Sequence, residues 1–212
     1  MKRTFDIIAA FTGLLLLSPL VLLVALFVKI ESRGPMFFKQ ERMGKGFKPF
    51  RIYKFRTMAK AAPFRDKPLT IGDDPRITRV GRILRQTKLD EIPQLINVLR
   101  GEMSLVGPRP EVPQYVELFR KDYAEILTVR PGITDLASLK YRDEAAILGR
   151  AVDPDGEYIH RILPDKIALS KEYLRRSTFV FDITLILKTL SRLFASKVPG
   201  DELGLHNSSR HS

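Results

Sequence analysis

The chain has 212 residues, enough for one domain with a real core and short for two, and its 36 Lys and Arg against 24 Asp and Glu leave a formal charge of +12. That excess points to an anionic partner: a nucleic acid, a membrane surface or a phosphorylated substrate. The absence of Cys excludes disulfides, thiolate catalysis and Cys-based zinc sites, and with three His, two of them in the tail (His206, His211), a histidine metal cluster or Ser-His-Asp triad is disfavoured, leaving carboxylates as candidates for catalysis.

Ile7 to Val28 is a run of 22 uncharged residues rich in Leu, Ile and Val. As a straight helix rising about 1.5 Å per residue it would cross a bilayer core of roughly 30 Å. It is too long for the apolar region of a signal peptide and lacks an Ala-x-Ala-like cleavage site, so retention is expected. Ser18-Pro19 at its middle predicts a bend, because Pro19 has no backbone donor, and the Ser18 hydroxyl is available to satisfy a freed carbonyl. Lys2 and Arg3 before the run and Lys29, Arg33, Lys39, Arg42, Lys45 and Lys48 after it favour both ends on the cytoplasmic face. The residues alone leave a re-entrant helix and a kinked span equally open.

Beyond it, Phe37–Gln40 and Phe50–Phe55 read as a hairpin turning around Gly44-Lys45-Gly46, a turn rather than a dinucleotide loop. Residues 59–74, with Pro63, Pro68 and Gly72-Asp73-Asp74-Pro75, read as an ordered loop. Ile77, Val80 and Leu84 at helical spacing, interleaved with Arg76, Arg79, Arg82 and Arg85, predict an amphipathic basic helix, most of whose arginines are a solvated or membrane-facing stripe. Ile92–Leu99 predicts a helix with Asp90 near its N-cap and Gly101 as its stop, and Glu111–Leu127 predicts another ended by Arg130-Pro131-Gly132. Asp153-Pro154-Asp155-Gly156 opens like a calcium loop but lacks the later oxygen ligands and reads as a turn. Pro164–Arg176 and Phe179–Phe194 are two C-terminal helices, the second with the composition of either an interfacial or a core helix, and Ala195–Ser212 reads as a mobile tail.

The chemistry concentrates at Asp90-Glu91. Adjacent carboxylates can divide labour, one attacking phosphorus and the other holding a divalent cation, while neighbouring arginines neutralise a pyrophosphate. Asp-Glu pairs are common on surfaces, and an N-cap role explains Asp90 equally well. Four stretches separate these readings: Lys54-Phe55-Arg56-Thr57-Met58, Leu89–Leu99, Gly101–Pro110 and Arg130-Pro131-Gly132-Ile133-Thr134. Together, and in this order, they resemble the bacterial sugar transferases called monotopic phosphoglycosyl transferases, and the resemblance covers almost the whole chain in the family's minimal form.

The resemblance implies a mostly α fold with a small β-hairpin: a re-entrant membrane helix over 1–32 hinged at Ser18 and Pro19, a cytoplasmic α/β catalytic domain with amphipathic interfacial helices over 33–195, and a mobile tail over 196–212. It implies Mg²⁺-dependent transfer of a sugar-1-phosphate from a UDP-sugar to polyprenyl (undecaprenyl) phosphate, releasing UMP, through a covalent aspartyl phosphosugar in a ping-pong exchange. By position, Asp90 becomes the nucleophile, Glu91 the metal ligand, and Lys54, Arg56, Arg85 and Arg109 phosphate-binding groups. The implied location is the cytoplasmic face of the bacterial inner membrane, in glycoconjugate or exopolysaccharide assembly. No nucleic acid is expected as a partner, while apolar helices at both ends would support a homodimer. Asp135, Ser170 and the long 141–166 segment depart from the family pattern where sugar or nucleotide selectivity would be set, and Asp182 keeps an acidic position without an assigned role. Two rivals stand beside this reading: a glycosyltransferase that releases UDP, and a non-enzymatic basic membrane protein binding nucleic acid or anionic lipid.

Overall fold

The computed structural model describes residues 1–59, 69–72 and 74–194. The predicted tail and most of the predicted 59–74 loop therefore lie outside the described residues. The first element, α1 (Lys2–Glu31), runs through Pro19 as one helix of 30 residues, without a non-helical residue at the proline. Pro19 leaves the Leu15 carbonyl without its usual amide partner, and the Ser18 hydroxyl donates to that same oxygen at 2.8 Å, as the sequence predicts.

The hairpin pairs β1 (Phe37–Met43) with β2 (Pro49–Phe55), antiparallel from Phe37–Phe55 to Met43–Pro49, so both strands extend past the predicted ends. Gly46 turns the chain with φ 65°. Next come the basic helix α2 (Arg79–Thr87) and a short helix α3 (Gln94–Arg100) stopped by Gly101 at φ 82°. Asn97, fully buried, clips α3 to the hairpin by accepting from Tyr53 N at 3.0 Å and donating to Arg51 O at 2.8 Å. The hairpin and the start of α3 thus hold a fixed relation, and each carries part of the charged site.

Three sequence expectations change. The helix predicted over Glu111–Leu127 is two, α4 (Pro113–Leu118) and α5 (Arg120–Ile126), broken where Phe119 adopts φ −118° and ψ 37°. Two strands too short to show an alternating pattern, β3 (Ser104–Val106) and β4 (Gly132–Thr134), pair in parallel. The calcium-like run is neither a metal loop nor a bare turn: Asp153 caps a short helix by accepting from Gly156 N at 3.0 Å. After α6 (Leu136–Lys140), the long segment forms α7 (Glu144–Leu148), that capped helix, α8 (Pro154–Glu157), and a π-helical turn at Tyr158–Ile162. The last two helices, α9 (Leu163–Arg176) and α10 (Phe179–Phe194), stand where predicted.

The main core gathers Val116, Ile126, Leu148, Tyr158, Ile162 and Leu163 from α4, α5, α7, the π turn and α9. A second cluster joins the hairpin to α3 and to Ala10 of α1, and a third packs Val24 and Val28 of α1 on Phe55 and Leu84. Both ends of α1 are tied to this one body. At its start, Lys2 pairs with Asp182 of α10 and donates to Val106 O at 2.9 Å, while Asp6 accepts from Ser104 Oγ at 2.7 Å. At its finish, Glu31 accepts from Val80 N at 3.1 Å and Arg56 donates to Ser32 O at 2.6 Å. Asp182, which the sequence left without a role, is thereby the anchor for the start of α1, with the Tyr173 hydroxyl donating to it at 2.7 Å.

The outer face of α1 tells a different story. Ile8, Phe11, Leu15, Leu16, Leu22, Leu26 and Ile30 are each more than half exposed. At about 1 kcal/mol or more for each, leaving seven such side chains in water would cost on the order of 10 kcal/mol, comparable to the whole stability of a domain. Among the described residues α1 is the one helix long and apolar enough to cross a membrane. On α10 the core reading holds for one face, where Asp182 and Leu185 are buried, while Val180 and Leu187 on the other are exposed.

Candidate active site

Thr78 caps α2 by accepting from Gly81 N at 2.9 Å, and Gly81 lets α2 lie directly on the strand end, since a Cβ there would sit 2.2 Å from Thr57 O. The helix stops at Lys88, whose φ of 58° is the left-handed region that a non-glycine residue rarely adopts. That turn feeds a single 3₁₀ turn, Leu89–Glu91, before α3 begins with Pro93 at its N-cap. Asp90 is therefore not the N-cap of α3, and its side chain makes no capping bond. It is 6% exposed, and its Oδ1 is buried with no hydrogen-bond partner. A buried unpaired carboxylate oxygen is expensive and calls for a functional account.

Glu91 is paired on both sides. Lys54, from β2, donates to its Oε1 at 2.7 Å, and Arg109 donates to the same oxygen at 2.6 Å. Its Oε2 has one long bond, 3.4 Å from Arg109 Nη1. Burial opposes the charge of Glu91, but Arg109 and then Lys54 hold its carboxyl well below the usual range. The same attraction raises the Arg109 guanidinium. Asp90 differs: burial pushes its carboxyl up, Lys54 draws it back, and ionised Glu91 pushes it up again, leaving it above an ordinary aspartate. One carboxylate is locked as an anion, and the other is unpaired and poised.

Arg109 is set by the small parallel sheet. Its backbone N–H donates at 3.0 Å to Asp135, whose other oxygen caps α6 by accepting from Ser138 N at 2.7 Å. Gly107 and Gly132 make the close approach possible, because a Cβ on Gly132 would lie 2.1 Å from Gly107 N. Asp135, a departure from the family pattern, thus lies beneath a site residue. Ser170, another departure, is buried in α9 with its hydroxyl on Lys166 O at 2.8 Å.

The predicted site residues separate into groups. Asp90, Glu91, Lys54 and Arg109 converge. Arg85 stands beside them, donating to Thr57 Oγ1 at 2.8 Å and Thr70 Oγ1 at 3.1 Å. Arg79 and Arg82 of the basic ladder are exposed, Arg82 at the edge of the same cleft. Arg56 turns toward the end of α1, yet its Nε and Nη1 remain buried without partners. Ser18 and Pro19 lie apart, exposed at the middle of α1. Lys88 was not singled out from sequence: burial lowers its ammonium, which Glu91 partly restores. Its only sequence signal is its place two residues before Asp90.

Lys54, Arg56, Arg85, Lys88, Asp90, Glu91 and Arg109 line one cleft of about 1720 Å³ among the described residues, which also takes in Leu17, Pro35, Phe37 and Phe38 as well as Tyr141, Glu144 and Lys166. The cleft places one poised carboxylate, one locked carboxylate and four cations (Lys54, Arg85, Lys88, Arg109) around a common space, an arrangement suited to a diphosphate. Among the described residues no three His, Asp or Glu side chains converge. A hard divalent cation that takes one or two protein carboxylates and completes its shell with water and phosphate oxygens fits the unpartnered Asp90 Oδ1 and the weakly held Glu91 Oε2.

The sequence is similar to those of known proteins. The chain is 38% identical over 192 residues to a UDP-N-acetylgalactosamine-undecaprenyl-phosphate N-acetylgalactosaminephosphotransferase of Aeromonas hydrophila, covering 89% of this chain and 42% of that one. It is 38% identical to a UDP-glucose:undecaprenyl-phosphate glucose-1-phosphate transferase of Caulobacter vibrioides, covering 92% and 70%. It is 34% identical to the exopolysaccharide production protein ExoY of Rhizobium meliloti, covering 92% and 86%. The chain thus spans less than half the length of the first of these relatives. With the family described as bacterial sugar transferase matching residues 1–196, the chain belongs to that family.

Proposed function

We propose that the protein transfers a sugar-1-phosphate from a UDP-sugar to polyprenyl phosphate by way of Asp90. The observation that carries this is the buried Asp90 Oδ1, free of hydrogen bonds, in a cleft whose lining includes Lys54, Arg85, Lys88 and Arg109. In the first half-reaction an Asp90 oxygen forms a bond to the sugar-bearing phosphorus, the bridging P–O bond breaks, and UMP leaves with the electron pair. In the second, an oxygen of polyprenyl phosphate attacks that phosphorus, and the Asp90–phosphorus bond breaks to restore the carboxylate. Arg109 and Lys54 hold Glu91 ionised and carry spare donors toward the phosphates. Lys88 and Arg85 add charge from the other side of the 3₁₀ turn. Mg²⁺ bound by Glu91, with Asp90 adjacent, would supply charge neutralisation on the diphosphate.

On this reading, 1–32 is the membrane helix and 33–195 the catalytic domain on the cytoplasmic face, acting in bacterial glycoconjugate or exopolysaccharide assembly. The two anchored ends of α1 argue against a span, because a helix cannot cross a bilayer while both ends bind one body on one side; the helix runs on through Pro19, so the expected break at Ser18-Pro19 lends the re-entrant form no support of its own. Because the chain has no Cys, single cysteines near Lys2 and near Lys39 are unique labels, and both are expected to react from the cytoplasmic side. Labelling from opposite sides would establish a span. The reaction itself is tested by incubation with UDP-sugars, Mg²⁺ and undecaprenyl phosphate: UMP is the expected nucleotide product, and UDP would mean transfer of the sugar alone.

A further inference from the structure

The part of the cleft around Tyr141, Glu144 and Lys166 is polar and rigidly built. Glu111 there accepts from Arg42 Nη1 at 2.9 Å and from the Tyr158 hydroxyl at 2.6 Å. Lys166 pairs with Glu144 of α7, and its ammonium lies 4.9 Å from the Tyr158 ring centroid and 6.0 Å from that of Tyr141. Stability does not explain these groups, since partly exposed ion pairs contribute little. Tyr158 also opens the π-helical turn, a geometry poorer in hydrogen bonding than an α-helix and concentrated at functional sites.

This lobe is mechanically joined to the phosphate end. Gly72 N donates to Ala145 O at 2.8 Å, and the backbones of Gly72 and Gly149 pack so closely that a Cβ on Gly149 would lie 2.7 Å from Gly72 Cα. Two residues before Gly72, Thr70 accepts from Arg85. The same short stretch therefore touches both α7 and a cation beside Asp90.

We propose that this lobe is the sugar-recognition subsite, in which Glu144 and Lys166, steadied by Tyr141 and Tyr158, discriminate among UDP-sugars through the ring hydroxyl or N-acetyl groups. The proposal rests on the phosphosugar-transfer reading above. A carboxylate beside an ammonium suits vicinal hydroxyls, which both donate and accept. A nucleobase would want an open aromatic face, and Tyr158 offers none: it is buried against Tyr115, with centroids 4.9 Å apart.

The test uses the full chain with undecaprenyl phosphate and, separately, UDP-glucose, UDP-galactose, UDP-N-acetylglucosamine and UDP-N-acetylgalactosamine. In Glu144→Gln the ratio of kcat/KM between the two best sugars should change by about tenfold or more, the scale of a lost specific hydrogen bond, while inhibition by UMP stays within about twofold. Tyr141→Phe, which removes only a hydroxyl that donates to Asp165 at 2.8 Å, should shift the same ratio less and safeguards the test against misfolding. An equal fall for every sugar in both variants, or a parallel loss of UMP inhibition, would overturn the proposal. Absence of UMP release from every sugar by the unmodified chain would instead remove the transferase reading, and this one with it.

Discussion

Asp90→Asn is expected to abolish any phosphosugar adduct on the protein and to lower turnover by at least about 10⁴-fold, the scale seen when a covalent nucleophile is removed. The substitution keeps the shape of the side chain and removes its nucleophilic charge. Because burial pushes the Asp90 carboxyl up in the folded protein, the ionised form disfavours folding above that raised value, and the cost is relieved as pH falls through it. The neutral amide should therefore leave thermal stability at neutral pH unchanged or higher, whereas activity vanishes. Intact-protein mass after incubation with UDP-sugar and Mg²⁺, without lipid acceptor, reads the adduct directly, and thermal unfolding reads the stability. In the unmodified protein, adduct formation should fade on acidification at a pH above that of an ordinary aspartate. An adduct persisting in Asp90→Asn would end the covalent mechanism; a large drop in melting temperature would mean that Asp90 is structural.

Arg109→Met should have the second largest effect, with opposite consequences for folding. It removes the closest cation from Glu91 and leaves Lys54 as its one hydrogen-bonded partner. Turnover should fall by about 10²- to 10³-fold, the scale for one preorganised donor to developing charge. Stability should fall by about 1–3 kcal/mol, less than for a fully buried pair, because Lys54 stays in place and the Arg109 side chain is 32% exposed. The sign with pH follows from the depressed Glu91 carboxyl: its contribution is present above the unfolded carboxylate value and lost as pH falls through the lower folded value. Without Arg109 the folded value rises toward the unfolded one, so less stability should be lost on acidification, and the loss should be complete at a higher pH. Urea unfolding across a pH series measures this. Arg109→Lys should restore much of the pH profile but little of the rate, since an ammonium lacks the planar fork of donors. Activity within about threefold of the unmodified protein in Arg109→Met would rule out the assigned role, given the size expected for such a donor.

Much of this architecture could be read from the residues. Gly101 as a helix stop, the turn near Gly46, the Ser18–Leu15 bond and the two last helices all follow from local chemistry, where glycine conformation, missing proline donors and helical periodicity act over a few positions. The four motif stretches identified Asp90, Glu91, Lys54 and Arg109 as one group, and they converge. The failures are long-range. Nothing in Ser104–Val106 or Gly132–Thr134 alone marks a strand; their pairing depends on two glycines meeting. Phe119 breaks a helix that its own sequence favours. Asp90 looked like a cap because Asp commonly is one, but after the left-handed Lys88 turn it lies inside a 3₁₀ turn, three residues before the Pro93 N-cap of α3. Arg56 sits in a phosphate-site motif, and only the packing of α1 discloses that one edge of its guanidinium holds the end of that helix.

The double anchorage of α1 has a consequence for how the protein would meet a bilayer. An ordinary span joined to its domain by a flexible linker lets the domain bob, and its tilt follows lipid thickness. Here Lys2–Asp182 at one end and Ser32–Arg56 at the other leave the helix no independent freedom. On the proposed topology the height of Asp90 above the lipid phosphates is then a fixed dimension of the protein, built in like the draught of a hull, and largely insensitive to the length of the surrounding acyl chains.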